Sequence, residues 1–124
     1  MAQRKTKKDE LLDFEISFYE GVLKRTPDYI EAIIPLAEAY TRKGLYKKGL
    51  EMDLRLTQLC ADDPVAYYNL ACSYALLGKK VDALTALKKA VALGYSDFAH
   101  LRKDADLKCL DGDPEFEQIK KLDK

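Results

Sequence analysis

The chain has 124 residues, enough for one domain with a hydrophobic core of its own. Hydrophobic residues make up 48% and charged residues 34%, a balance that excludes a disordered chain. Lysine plus arginine equals aspartate plus glutamate at 21 each, which argues against nucleic acid or a membrane surface as a partner of the whole molecule.

In chain order, the first eight residues are basic, with Arg4, Lys5, Lys7 and Lys8, and residues 1–8 are expected to form a flexible tail. Asp9 and Glu10 follow at once, and Asp13 and Glu15 interrupt the next apolar stretch, so no signal-peptide core is read here. No apolar run approaches the roughly 18 residues that a membrane helix needs. Ile16, Tyr19 and Val22 then lie along one helical face ahead of Pro27.

From residue 28 onward the chain matches itself at an offset of 34 residues. Asp28 pairs with Asp62, Ala32 with Ala66, Leu36 with Leu70, and Ala37 with Ala71. Tyr40 then pairs with Tyr74, Gly44 with Gly78, Leu50 with Leu84, and Leu59 with Leu93. Eight identities stand against about two expected by chance. Each unit reads as two amphipathic helices joined by a tight turn. In residues 64–97, Tyr67, Leu70, Ala71 and Tyr74 form one face, Gly78 stops the helix, and Ala83, Leu84, Leu87, Ala90, Val91 and Leu93 line the second helix. Asp63-Pro64 marks an N-cap followed by proline at the first helical position.

Residues 30–63 repeat this with Leu36, Ala37 and Tyr40, a stop at Gly44, then Leu50, Leu54, Leu56 and Leu59. Three departures stand out. Pro35 predicts a kink or a late helix start, Gly49 replaces an alanine at close packing, and Asp53 occupies the position of Leu87. Beyond residue 97 the phase persists at Ala105 and Gly112, but Asp104 and Lys108 fall on apolar positions. Residues 98–124 are therefore expected as a degenerate unit: a short helix from Asp97, an irregular stretch, and a last helix begun by Asp113-Pro114-Glu115 with Phe116, Ile119 and Leu122 inward.

The pattern Tyr67-x-x-Leu70-Ala71-x-x-Tyr74-x-x-x-Gly78-x-x-x-x-Ala83-x-x-x-Leu87-x-x-Ala90 resembles the tetratricopeptide repeat (TPR), whose period is 34 residues. The resemblance implies an all-α fold, an α-α superhelix (TPR solenoid) of about seven helices built from helix-turn-helix pairs. Within a single TPR domain at 9–124, residues 9–29 take the place of a capping half repeat. It also implies a concave groove lined by the first helix of each pair. The groove positions are Glu31, Ile34, Glu38, Thr41 and Arg42 in the first unit, and Val65, Tyr68, Cys72 and Ala75 in the second. Because Tyr67 takes the core position, Tyr68 is expected to face the groove as an aromatic anchor, with packing against Ile34 or the next helix as the alternative. Some relatives in this family hold the C-terminal carboxylate of chaperones with lysine, arginine and asparagine. Here those positions carry Ile34, Glu38, Tyr68 and Cys72, and Asn69 belongs to the structural pattern, so no such clamp is expected.

The function expected is a protein-protein interaction module, an adaptor or scaffold that accepts a partner segment. A dedicated chaperone or assembly factor would use the same groove, and a nucleic-acid or membrane-surface binder would use the basic tail, which lacks the aromatic residues of a base-stacking arm. Two full units make a short groove, which a second copy would extend. No catalysis, small-molecule substrate or cofactor is expected, because the single His100 supports neither a histidine metal site nor a paired acid and base. Asp104, Asp106, Asp111 and Asp113 lack the spacing of a calcium loop, and no metal is expected there. Cys60, Cys72 and Cys109 are odd in number and without C-x-x-C spacing; structural, reduced thiols and a cytoplasmic location are expected.

Overall fold

The computed structural model describes residues 5–122, which fold without a strand. Helix α1 (Lys7–Arg25) begins at a capping box. The Thr6 hydroxyl accepts from the Asp9 backbone N–H at 3.1 Å, and the Asp9 carboxylate accepts from the Thr6 N–H at 3.1 Å. The helix therefore starts inside the stretch expected as a flexible tail. Lys7 and Lys8 sit in its first turn, and the Lys5 ammonium lies 2.7 Å from the Asp13 carboxylate. Residues 1–4 of that expected tail lie outside the described residues.

The remaining helices are α2 (Ile30–Arg42), α3 (Tyr46–Leu59), α4 (Pro64–Leu76), α5 (Lys80–Ala92), α6 (Phe98–Lys103) and α7 (Pro114–Lys120), with a 3-10 helix at Ala105–Leu110 between the last two. Their starts keep the beat of the sequence. Ile30, Pro64 and Phe98 open first helices 34 residues apart, and Tyr46, Lys80 and Pro114 open second helices at the same spacing. Gly44, Gly78 and Gly112 turn the chain between partners with φ of +84°, +73° and +89°, the left-handed region where a Cβ is strained. Asp63 and Asp113 cap the helices that follow them by accepting backbone N–H bonds, each with proline next in line.

From α1 to α5 every helix packs on its neighbour in the chain, and α4 also packs on the 3-10 helix. Apolar burial drives this packing. Ala32, Ile33, Leu36 and Ala39 are buried from α2, and Ala83, Leu87 and Ala90 from α5, while Leu101, Leu107, Leu110 and Phe116 close the C-terminal end.

Several local expectations change. α2 runs through Pro35 without a late start, because proline's missing donor removes one bond near the helix's first turns, where the carbonyl of exposed Glu31 can meet water. Leu54 and Leu59, expected to face inward, are exposed because α3 buries the face of Gly49, Asp53, Leu56 and Thr57 instead, and Leu122, also expected inward, is exposed just beyond the end of α7. Gly49 is buried as expected of a close approach: a Cβ there would lie 2.9 Å from the Thr41 Oγ1. No helix among the described residues is long and apolar enough to cross a membrane.

Candidate functional site

Helices α2, α3 and α4 and the segment from His100 to Asp106 surround a cleft of about 550 Å³. Its wall from α2 is Ile34, Ala37, Glu38 and Thr41, all on one helical face. α3 contributes Asp53 and Leu56, and α4 contributes Tyr68, Asn69, Cys72, Ser73 and Leu76. His100, Asp104 and Asp106 close the third side. The cleft thus gathers Ile34, Glu38, Thr41, Tyr68 and Cys72 from the nine expected groove positions. Glu31, Arg42, Val65 and Ala75 do not line it. Glu31 and Val65 are exposed near the helix starts, Arg42 turns to Glu15 at 2.8 Å, and Ala75 of α4 is buried in the core.

Tyr68 is not an exposed anchor. It retains only 3% of its accessible surface and stacks on Tyr95 with ring centroids 4.2 Å apart and planes at 1°. Its neighbour Tyr67, expected in the core, is half-buried with the Lys89 ammonium 5.8 Å from its ring. The exchange has an electrostatic cause. The Tyr68 hydroxyl donates to the Asp104 carboxylate at 2.7 Å, and the same oxygen lies 3.6 Å from the Cys72 thiol and 3.2 Å from His100 Nε2. Asp104, the polar residue at an apolar repeat position, accepts from the Tyr68 hydroxyl and the Cys72 thiol on α4 and from the Asp106 backbone N–H. Burial, reinforced by the nearby Asp104 charge, pushes the Tyr68 and Cys72 pKa values well above their ordinary range. Cys72 therefore stays a thiol, as a structural cysteine does. Cys60 is half-buried, whereas Cys109, expected as a structural thiol, is exposed and donates to the Ala75 carbonyl at 3.3 Å.

Asp53 lies deeper. It retains 5% of its accessible surface, and one of its oxygens accepts from the Ser73 hydroxyl. Burial pushes its carboxyl up to about 6, with the Ser73 hydrogen bond pulling in the opposite direction. Asp106 is half-buried beside Asp104, and burial and then that neighbouring charge push its pKa up, against the pull of His100. Among the described residues no side chain donates to the Asp106 carboxylate. Glu38 stands at the rim with its side chain 71% exposed and the Arg42 guanidinium 3.9 Å away.

Cys72, Asp104 and Asp106 bring ligand-type atoms within 4.8 Å of one another. Within this group Asp104 accepts from the Tyr68 hydroxyl and the Cys72 thiol, while the Asp106 carboxylate has no side-chain donor among the described residues. Asp53, Ser73, His100, Asp104 and Asp106 were not among the expected groove residues. Asp53 and Asp104 did announce themselves as polar residues at apolar repeat positions, which is where a buried polar function leaves its mark in a repeat.

No family model matches the chain. A protein of Arabidopsis thaliana whose name describes it as chloroplastic is similar to it, 33% identical over 88 residues, covering 66% of this chain and 25% of that protein. The chain therefore spans about a quarter of the length of this relative.

Proposed function

We propose that this chain is a TPR-type interaction module whose paired helices wind as a short superhelix and receive a segment of a partner protein in the cleft between α2, α4 and the His100–Asp106 segment. The observation that carries the reading is the cleft itself. It lies on the first helices of successive units, where a stacked array of helix pairs turns its concave side. Its volume of about 550 Å³ is that of a recognition pocket, and its lining mixes apolar rim residues with a few converging polar groups. The adaptor role is preferred to a client-specific chaperone because the acidic side chains of Glu38, Asp53, Asp104 and Asp106 interrupt the apolar lining of the cleft. The tail-based reading loses support, since Lys5 engages Asp13 and Lys7 and Lys8 belong to a helix. The relative's name places that protein in the chloroplast, which sets a plastid beside the cytoplasm as a compartment for this chain.

A photo-crosslinking residue at position 34, at the rim, is the test, with one at position 81 on the far side of α5 as control. Both native side chains are exposed, Ile34 at 46% and Val81 at 77%. A discrete covalent partner is expected from position 34 alone. Equal capture at both positions, or none at 34, contradicts the proposal.

A further inference from the structure

Charge is balanced in the sequence as a whole and one-sided in the cleft. The chain as a whole balances 21 basic against 21 acidic residues. The lining contains Glu38, Asp53, Asp104 and Asp106 with neither lysine nor arginine, and His100 already faces Asp104. Fields from several carboxylates in a concave site add, so the opening attracts cations and repels anions.

Asp53 supplies an independent observation. Its side chain is almost fully buried on α3, away from the Asp104–Asp106 segment, and Ser73 satisfies one carboxylate oxygen. The second oxygen receives no hydrogen bond from the described residues, yet no buried side-chain oxygen is sealed from solvent without a partner. That oxygen therefore opens to the cavity it lines. That oxygen has no donor among the described residues, and water or a cationic group in the cleft can supply one. Asp106, without a side-chain donor of its own, lacks one too.

Resting on the reading of the cleft as a segment-binding groove, we propose that its occupant is a basic segment, a stretch of partner chain that inserts at least one arginine or lysine head between Asp106, Glu38 and Asp53. The long aliphatic stem of such a side chain fits the apolar rim at Ile34 and Leu76, leaving the cationic head to the acids below. An acidic segment or a chain-terminal carboxylate meets repulsion from Glu38 on α2, Asp53 on α3, and Asp104 and Asp106 on the third side.

The test is selection of a random peptide display library on the immobilised full chain, repeated with Glu38→Gln, with Asp106→Asn and with both. Asp82→Asn, an exposed acid on α5 outside the cleft, is the control, and circular dichroism establishes that each variant folds. The expected result is enrichment of arginine and lysine over the starting library. Affinity of an enriched peptide should fall at least tenfold in the double variant, weaken with added salt, and remain unchanged in Asp82→Asn. Enriched peptides without excess basic residues that lose binding on Ile34→Asp would overturn the charge assignment while leaving the groove reading intact. No enrichment of any peptide would remove both. Basic peptides that bind the double variant as tightly as the wild type would place the contact elsewhere and overturn the proposal. Binding abolished by a chelator would do the same, by assigning the acids to a divalent cation.

Discussion

Replacing Asp53 with asparagine should stabilise the protein at neutral pH. Asp53 occupies the repeat position of Leu87, which is fully buried in the second unit, and it is itself nearly as inaccessible. Its carboxyl is raised from 3.8 to about 6, so the fold favours the protonated form. A raised carboxyl contributes stability that is complete below its unfolded value of 3.8 and is lost as the pH rises through about 6. The gap between those two values corresponds to about 3 kcal/mol at neutral pH. Asparagine keeps an acceptor for the Ser73 hydroxyl and never ionises. Urea unfolding followed by circular dichroism at several pH values between about 4 and 8 measures the difference. With a typical urea dependence of about 2 kcal/mol per molar, the Asp53→Asn midpoint should exceed the wild type by about 1 to 2 M near pH 7.5, and the two should converge near pH 4. A difference that stays flat across this range, or a wild type more stable at pH 7.5, would refute the reasoning, because every other carboxylate titrates in both proteins.

Other substitutions follow from the same structure. Tyr68→Phe keeps the stack on Tyr95 but removes the donor to Asp104, and should cost about 1 to 3 kcal/mol in urea unfolding. Gly49→Ala gains about 1 kcal/mol of helix propensity but sets a methyl against Thr41 Oγ1. It should destabilise alone, and in a Thr41→Ala background it should stabilise, a sign reversal that a double-mutant cycle reads directly. Gly78→Ala, at φ +73°, should cost about 1 kcal/mol or more in the same unfolding assay although no atom obstructs the added methyl. Phe116→Ala should cost about 3 to 5 kcal/mol because Phe116 is buried to 2%, whereas Phe14→Ser should cost less than about 0.5 kcal/mol because Phe14 is 66% exposed.

The helical architecture was legible because its determinants are local. Apolar residues three and four apart, the Asp-Pro starts at Asp63 and Asp113, and glycines at a fixed spacing each act within a few residues, and the structure places helix starts and turns accordingly. The capping box at Thr6 and Asp9 was equally local but lay hidden in a run of basic residues that reads as a tail. The α2 face of the cleft could be read from helical spacing alone. Its opposite side could not, because it is made by His100, Asp104 and Asp106, which reach α4 from a segment that lost the apolar pattern. Which of two adjacent tyrosines turns inward depends on that distant segment: Asp104 offers Tyr68 an acceptor and Tyr95 offers it a ring. Polar residues at apolar repeat positions, Asp53 and Asp104, were read as flaws in the pattern, and the fold uses both as the floor of the cleft.

The most direct measurement is an amide correlation spectrum of the isotopically labelled chain titrated with the segment captured by the crosslinker at position 34. Shift changes should concentrate at Glu38, Asn69, Cys72, His100 and Asp106, with Val81, Asp82 and Thr85 on the outer face of α5 unmoved. Perturbations gathered on that outer face, with the cleft residues unchanged, would contradict the assignment of the cleft as the binding surface.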